Sequence, residues 1–299
     1  MSTTVSSTPP AAFIAGRSLR RRIQDWLGWA ACVGAFLLLG SATVWILGTV
    51  FVRGLSALNW NLIAHGAVGT GGGLLGAMEG TLVLAAGGII LAVPPGIAAG
   101  VYLAEFDYGL LAPTLRFLAD VLVGVPSIVI GYFGYVTMVD MLGWGFSVAA
   151  GSIALAIIAL PYIARASEMA IRQVPRDLRD AARALGANDR RVVMGICLPV
   201  AMPGILTGIL LALAIAIGET APLLYTAGWS NFMWSGKLTH EPIGYLTYAI
   251  WAFITEPFAG AHALAYAAAF LVTMFALVLS AVSRLLLDKN ASLRRLFNR

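Results

Sequence analysis

Apolar residues gather along the chain in six long runs, near residues 27–52, 80–104, 113–139, 146–165, 201–227 and 260–287. A helix rises about 1.5 Å per residue and the hydrocarbon core of a bilayer is about 30 Å thick, so each run crosses a membrane once its edges and tilt are allowed for. The first run spans about 39 Å at that rise, too long for a signal-peptide core, and reads as an uncleaved helix. The pattern predicts an all-α, polytopic membrane protein of about six transmembrane helices with both termini on one side.

Polar stretches divide these runs. Residues 1–25 are rich in Ser, Thr and Pro and then in Arg, and are expected to be a disordered basic tail. Residues 26–52 form the first transmembrane helix, 76–287 a helical core with a polar loop at 168–200, and 288–299 a second basic tail. The glycine-rich stretch 69–76 reads as a flexible outer loop, and 228–259 as a longer one that holds a short interfacial helix or receives a partner. No tandem period of 20–50 residues is visible. Trp60, Trp144, Trp229 and Trp234 stand where outer-interface anchors are expected. Pro94 and Pro95, Pro126, Pro161 and Pro222 fall in four consecutive spans, each removing a helical hydrogen bond. In lipid the freed carbonyls need partners, which points either to a bundle built around a passage or hinge, or to proline that merely shapes packing.

Composition narrows the class. Only 11% of residues are charged and 60% are hydrophobic, against about 25% charged in an ordinary soluble domain. The mean hydropathy of +0.87 excludes a disordered chain, and two cysteines exclude a disulfide scaffold. Basic residues set the orientation. Four arginines stand in the N-terminal tail, seven between 165 and 191, and five Lys or Arg after 283; with Arg116 these fall on one face, leaving Arg53 and Lys237 opposite. The positive-inside rule then puts both termini and the Arg-rich segment in the cytoplasm, with His65, His240 and His262 outside or near the outer edge. The net charge of +5 is read as topology and attraction to anionic membrane lipids, not to nucleic acid.

The segment 174–199 carries the most information. Pro175 opens a helix, RDLRDAARAL continues it, and Gly186 stops it. Leu178, Ala181, Ala182 and Leu185 recur at i, i+3, i+4 and i+7 as a narrow apolar stripe, with Arg176, Asp177, Arg179, Asp180 and Arg183 on the remaining surface. Asn188 or Asp189 caps a second helical segment running toward Pro199. Such a helix lies on the membrane, packs under its own bundle, or inserts into a cleft on a partner; its small Ala pair favours the last.

Asp180, Ala181 and Ala182, three residues, Gly186, nine residues, then Ile196, Cys197, Leu198 and Pro199 resemble the cytoplasmic EAA loop of bacterial binding-protein-dependent ABC importers, with Asp180 replacing the family Glu. In that family the loop docks on a separate ATPase. The resemblance therefore implies a docking role for Asp180, Ala181, Ala182, Gly186, Ile196, Leu198 and Pro199, and the type I ABC importer permease fold. The stretches VYLAEF (101–106), RFLADVLVGVPSIVIG (116–131) and GILLALAIAIGETAPLLYTAG (208–228) resemble the PstA-type permease family of phosphate importers over about residues 80–290. That resemblance implies a non-catalytic permease subunit in a bacterial plasma membrane. Its partners are a second homologous permease forming a heterodimer, an ATPase dimer below and an extracytoplasmic phosphate-binding protein above. No cofactor or metal is implied.

Physical chemistry adds constraints. Moving a negative charge inward against a membrane potential costs about 2.3 kcal/mol per 100 mV, so uptake needs an energy source. The G-x-x-x-x-G-K-[ST] phosphate loop is absent: Gly236 and Lys237 are followed by Leu238 and preceded five positions back by Asn231. Ionisable residues in or near the spans are pathway candidates because each is costly in lipid. Arg116 and Asp120 stand at i and i+4 and are spaced to pair; Arg165 and Glu168 are three apart; Glu219 lies toward the outer end of the fifth span with no partner nearby in sequence. The resemblance marks Arg116, Arg165 and Glu219 as functional, with structural ion pairing as the competing role. One departure stands out: where the family carries an arginine three residues before the Gly of GETAPLL, this chain has Ile215. The alternatives are a permease for another oxyanion (sulfate, molybdate or phosphonate) and an ion-coupled secondary carrier, which commonly shows inverted repeats that are not seen here.

Overall fold

The computed structural model describes residues 19–66, 72–106 and 109–297. The expected disordered tail up to residue 18, residues 69–71 of the glycine-rich stretch and the last two residues of the basic C-terminal tail lie outside the described residues. Every regular element among the described residues is a helix. Five helices are long and apolar enough to cross a bilayer, six if a sharply bent pair counts as one span.

The chain divides into two units at Phe51 and Val52. In the first lies most of α1 (Leu19–Ala57), whose apolar side chains point in every direction, with Trp26, Phe36 and Trp45 73–78% exposed. A helix apolar all round is stable only with lipid around it.

The second unit is the helical core. A short α2 (Trp60–Ala64), capped by Asn59, whose Oδ1 accepts from the Leu62 N–H at 2.7 Å, leads toward α3 (Leu75–Glu105). The glycine-rich stretch is not loose where it is described: Gly73 donates to the Gly66 carbonyl at 2.9 Å and Leu74 to the Leu62 carbonyl at 2.6 Å. α3 runs through Pro94 and Pro95 without a break. It packs most closely on α6 (Val148–Arg172), itself continuous through Pro161. Small residues allow this approach: a Cβ at Gly88 would stand 2.8 Å from the Leu155 Cβ, and one at Gly96 2.8 Å from Ile163 Cγ2.

Between them the third span breaks. α4 (Leu111–Gly124) and α5 (Ser127–Gly134), the latter continued by a π-helical turn to Met141, are bent by 96°. Val125 and Pro126 are both extended, as expected where a proline ring crowds the preceding residue. The fifth span also breaks. α9 (Leu198–Gly218) stops at Glu219, and after Thr220 a short α10 (Ala221–Thr226) packs against α5. A single kinked helix was the expectation for both; the two breaks instead brace each other, because Gly131 presses on the Pro222 backbone, 2.5 Å from its Cα to where a Cβ would stand. The backbone groups released at the breaks are satisfied: Thr247 donates to the Glu219 carbonyl at 2.8 Å and Ser147 N–H to the Thr226 carbonyl at 2.9 Å.

The loop after α10 folds back on the bundle and does hold a short helix, α11 (Leu246–Ile254), but a buried one. Leu246, Ala249 and Phe253 pack with Leu62, Leu74, Ala77, Ala261 and Leu264, closing one end of the core against α12 (Ala259–Phe297). Trp229 stacks on Tyr248 with ring centroids 4.7 Å apart and meets Phe253 edge-on.

Candidate functional site

Two places gather chemistry. At the arginine-rich end of the core, α7 (Arg176–Ala184) and α8 (Asp189–Val192) form a helix, turn and helix between α6 and α9. Pro175 occupies the cap position just before α7. The turn depends on Gly186 at φ +82, a left-handed conformation that side chains with a Cβ seldom adopt. Its N–H donates to the Arg183 carbonyl at 2.9 Å, and Ala187 to the Ala182 carbonyl at 3.0 Å, a helix-ending pattern that satisfies the last carbonyls. Asn188 caps α8, its Oδ1 accepting from the Arg191 N–H at 2.9 Å.

The structure splits the motif residues between two faces. Asp180, Ala181 and Gly186 are exposed together with Leu178, and Leu185 is 89% exposed. Ala182 is buried instead, in a core with Val174, Val192, Cys197 and Ala201, against which Ile196 and Leu198 are half-buried; Pro199 is exposed in the first turn of α9. The apolar stripe thus serves two masters: Ala182 anchors the helix, while Leu178, Ala181 and Leu185 stand free on the outer surface.

Arginines tie this end together. Leu103 near the C-terminus of α3 accepts through its carbonyl from both Arg116 and Arg172, each at 3.0 Å. Carbonyls at a helix C-terminus carry partial negative charge, so guanidinium groups are favoured there. Glu168 bridges the same two arginines, each at 3.0 Å, with its own side chain 13% exposed. Arg165 pairs with Asp120 at a more open position. These pairings correct the sequence expectation: Arg116 and Asp120 do not pair within α4, nor Arg165 with Glu168 within α6; each crosses to the other helix. Arg179, read from the sequence as a surface charge, turns inward to Glu105, an acid that spacing alone did not mark.

The second place lies where the broken spans meet. Glu219, freed from α9, lines a cavity of about 190 Å³ with Leu122, Val123, Val125, Ser127, Ile130, Ile158 and Tyr162. Ile158 and Tyr162 lie midway along α6, so Glu219 sits at mid-depth, not toward one end as the sequence suggested. The Ser127 hydroxyl faces its carboxylate. Ser127 and Tyr162 were missed because a lone hydroxyl in an apolar run carries no spacing signal. Arg116, Asp120 and Arg165 stand nearer the arginine-rich end of the bundle, apart from the cavity lining. Among the described residues no cluster of three or more His, Cys, Asp or Glu side chains is suited to hold a metal ion.

Comparison with known proteins gives the same frame. The family model described as the binding-protein-dependent transport system inner membrane component matches residues 96–291. The phosphate transport system permease protein PstA 2 of Mycobacterium bovis is 46% identical over 279 residues, covering 93% of this chain and 92% of that protein. The phosphate transport system permease protein PstA of Haemophilus influenzae is 41% identical over 245 residues, covering 81% and 86%. Among solved structures, a chain of the MetNI methionine ABC transporter in inward-facing conformations matches with a TM-score of 0.57 at 20% identity, over 71% of this chain and 95% of that one. A chain of a bacterial alginate ABC transporter, solved with a pentasaccharide-bound periplasmic protein, matches with a TM-score of 0.59 at 15% identity, over 90% and 96%. At those identities the likeness is one of fold, that of type I ABC importer permeases.

Proposed function

Because the chain belongs to the family of binding-protein-dependent transport system inner membrane components, we propose that it is a permease subunit of an ATP-driven phosphate importer. The observation that carries the substrate is the 46% identity to a phosphate transport permease along 93% of the chain. ATP hydrolysis belongs to a separate subunit, since the chain has no phosphate loop of its own.

In this reading the arginine-rich end faces the cytoplasm, as the basic residues require, and both termini lie there. The exposed knob of Leu178, Asp180, Ala181 and Leu185 enters a cleft on an ATPase dimer. Gly186 sets the angle at which it is presented, Ala182, Ile196 and Leu198 hold the knob on the bundle, and Pro199 opens the helix that follows. Ions pass at the broken spans, where Glu219 lines this subunit's half of the pathway. Val123, Ile128, Val129, Tyr132 and Phe133 on α4 and α5 leave an exposed apolar face beside that cavity, which a second, homologous permease covers. With Ile215 in place of the family arginine and an acid in the cavity, the positive charge that draws an anion comes from that second permease. Arg116 serves the ion-pair network, whereas the exposed Arg165 and Asp120 remain pathway residues near the cytoplasmic mouth. A binding protein delivers phosphate at the opposite end.

The test is competition. Cells that depend on this permease with its partner subunits are given labelled phosphate with excess unlabelled phosphate, sulfate, molybdate or phosphonate. Uptake suppressed by phosphate alone supports the reading; absence of permease-dependent phosphate uptake, or stronger suppression by another of these oxyanions than by phosphate, overturns the substrate.

A further inference from the structure

Among the charged residues of α7, Arg179 alone is turned away from solvent. Its guanidinium forms an ion pair with Glu105 Oε1 at 2.8 Å and donates a hydrogen bond to the Ile171 carbonyl at 2.6 Å. The two side chains are 14% and 6% exposed, the most enclosed of the ion pairs described for this chain. Glu105 is the last residue of α3, and Ile171 is the last but one of α6. One side chain of the docking helix therefore grips the ends of both helices of the most closely packed pair in the molecule.

The other holds on α7 are the Arg183–Asp189 pair to the neighbouring α8 and Ala182 in an apolar core with Val174 and Val192. Apolar contact is non-directional, whereas the enclosed ion pair and the hydrogen bond to the Ile171 carbonyl hold α7 at a set distance from the ends of α3 and α6. Above the grip, α6 carries Ile158 and Tyr162 into the wall of the Glu219 cavity. Ile171 and Tyr162 are separated by about 14 Å of unbroken helix at 1.5 Å per residue. The small-residue packing at Gly88 and Gly96 leaves α3 and α6 little freedom to move apart.

We infer that the Glu105–Arg179 ion pair is the positioning link through which displacement of α7 is passed to α3 and α6 and so to the cavity wall. Neither residue belongs to the exposed knob. The inference rests on the importer reading above and names the part of the subunit that turns docking into movement. Loss of the link leaves the knob on the surface and the ATPase attached, but lets α7 shift against the bundle without moving it. Hydrolysis then proceeds and transport does not.

The experiment uses the complete transporter, with its ATPase, second permease and binding protein, reconstituted in liposomes; phosphate uptake and ATP hydrolysis are measured in the same preparation. Glu105→Gln is expected to keep the ATPase bound and to lower phosphate moved per ATP at least tenfold. The double variant Glu105→Met with Arg179→Met replaces a buried pair by apolar side chains of similar length, a change that often preserves stability. It is expected to accumulate and melt like the wild type and yet remain uncoupled. Unchanged phosphate per ATP in Glu105→Gln overturns the link. So does recovery of transport along with stability in the double variant, or failure of both variants to accumulate, since each makes the pair a support of the fold alone. A wild-type complex that hydrolyses ATP but moves no phosphate overturns the substrate reading instead, and is told apart because the loss is then present before any substitution is made.

Discussion

Gly186 offers the sharpest mutational probe. Nothing lies within 4 Å of where its Cβ would stand, so a substitution there acts through backbone conformation and not through crowding. At φ +82, an alanine costs about 1–2 kcal/mol in left-handed strain. Asparagine visits that region several-fold more readily than other residues with a Cβ and costs less. Proline is locked near φ −65° and has no N–H. It forbids the conformation outright and also forfeits the 2.9 Å bond to the Arg183 carbonyl, worth about 0.5–1.5 kcal/mol net. The turn must then be rebuilt, and α7 is presented at a different angle. The expected order of labelled phosphate uptake is wild type, Asn, Ala, then Pro, with Pro abolishing uptake while the protein still inserts in the membrane at normal abundance. Co-purification of the ATPase should follow the same order. Transport by Gly186→Pro at the wild-type rate, or equal loss in Asn and Pro, would refute the conformational reasoning.

Four further outcomes follow from the same structure. Glu168→Gln removes the acid shared by Arg116 and Arg172 at 3.0 Å; with those arginines 34% and 46% exposed, the expected cost is about 1–3 kcal/mol, below that of a fully buried pair. Asp120→Asn, at a pair more than half exposed on both sides, should cost under about 1 kcal/mol, and thermal unfolding in detergent measures the contrast. Gly131→Val sets a branched side chain against the Pro222 backbone, which cannot yield as a side chain does, and is expected to abolish phosphate uptake while the ATPase still co-purifies. Trp229→Ala deletes the ring stacked on Tyr248 and should lower stability by about 3–5 kcal/mol, the range for large aromatic truncations, read as a fall in melting temperature without loss of ATPase binding.

The long helices were legible because a bilayer demands long apolar runs: five of the six runs fall on single long helices and the third on a bent pair. Breaks were not. Pro94, Pro95 and Pro161 lie in unbroken helices, whereas Pro126 stands at a 96° bend and Pro222 just after the interruption of the fifth span at Glu219 and Thr220. All five look alike in sequence; what separates them is the contact of Gly131 with Pro222 between distant segments. The turn between α7 and α8 was legible because Gly186 and Asn188 act through local backbone geometry, where spacing is informative. Ion pairs were misread for the opposite reason. The i, i+4 spacing of Arg116 and Asp120 is real, but α4 and α6 lie side by side and offer each charge a better partner across the gap. Arg179 looked like surface because periodicity counts apolar positions, and a long guanidinium side chain reaching Glu105 leaves no trace in that count. Glu219 was singled out for its cost in lipid, yet its depth depended on the break after Gly218.

The central claim is that this chain is a passive half-pathway driven by a separate ATPase gripping α7. It is tested most directly by reconstituting the chain in liposomes, alone and with its ATPase, second permease and binding protein, and following labelled phosphate under ATP and under an imposed ion gradient. Accumulation only in the complete assembly, and only with ATP, is the expected result. Accumulation by the chain alone, powered by the ion gradient, would contradict it.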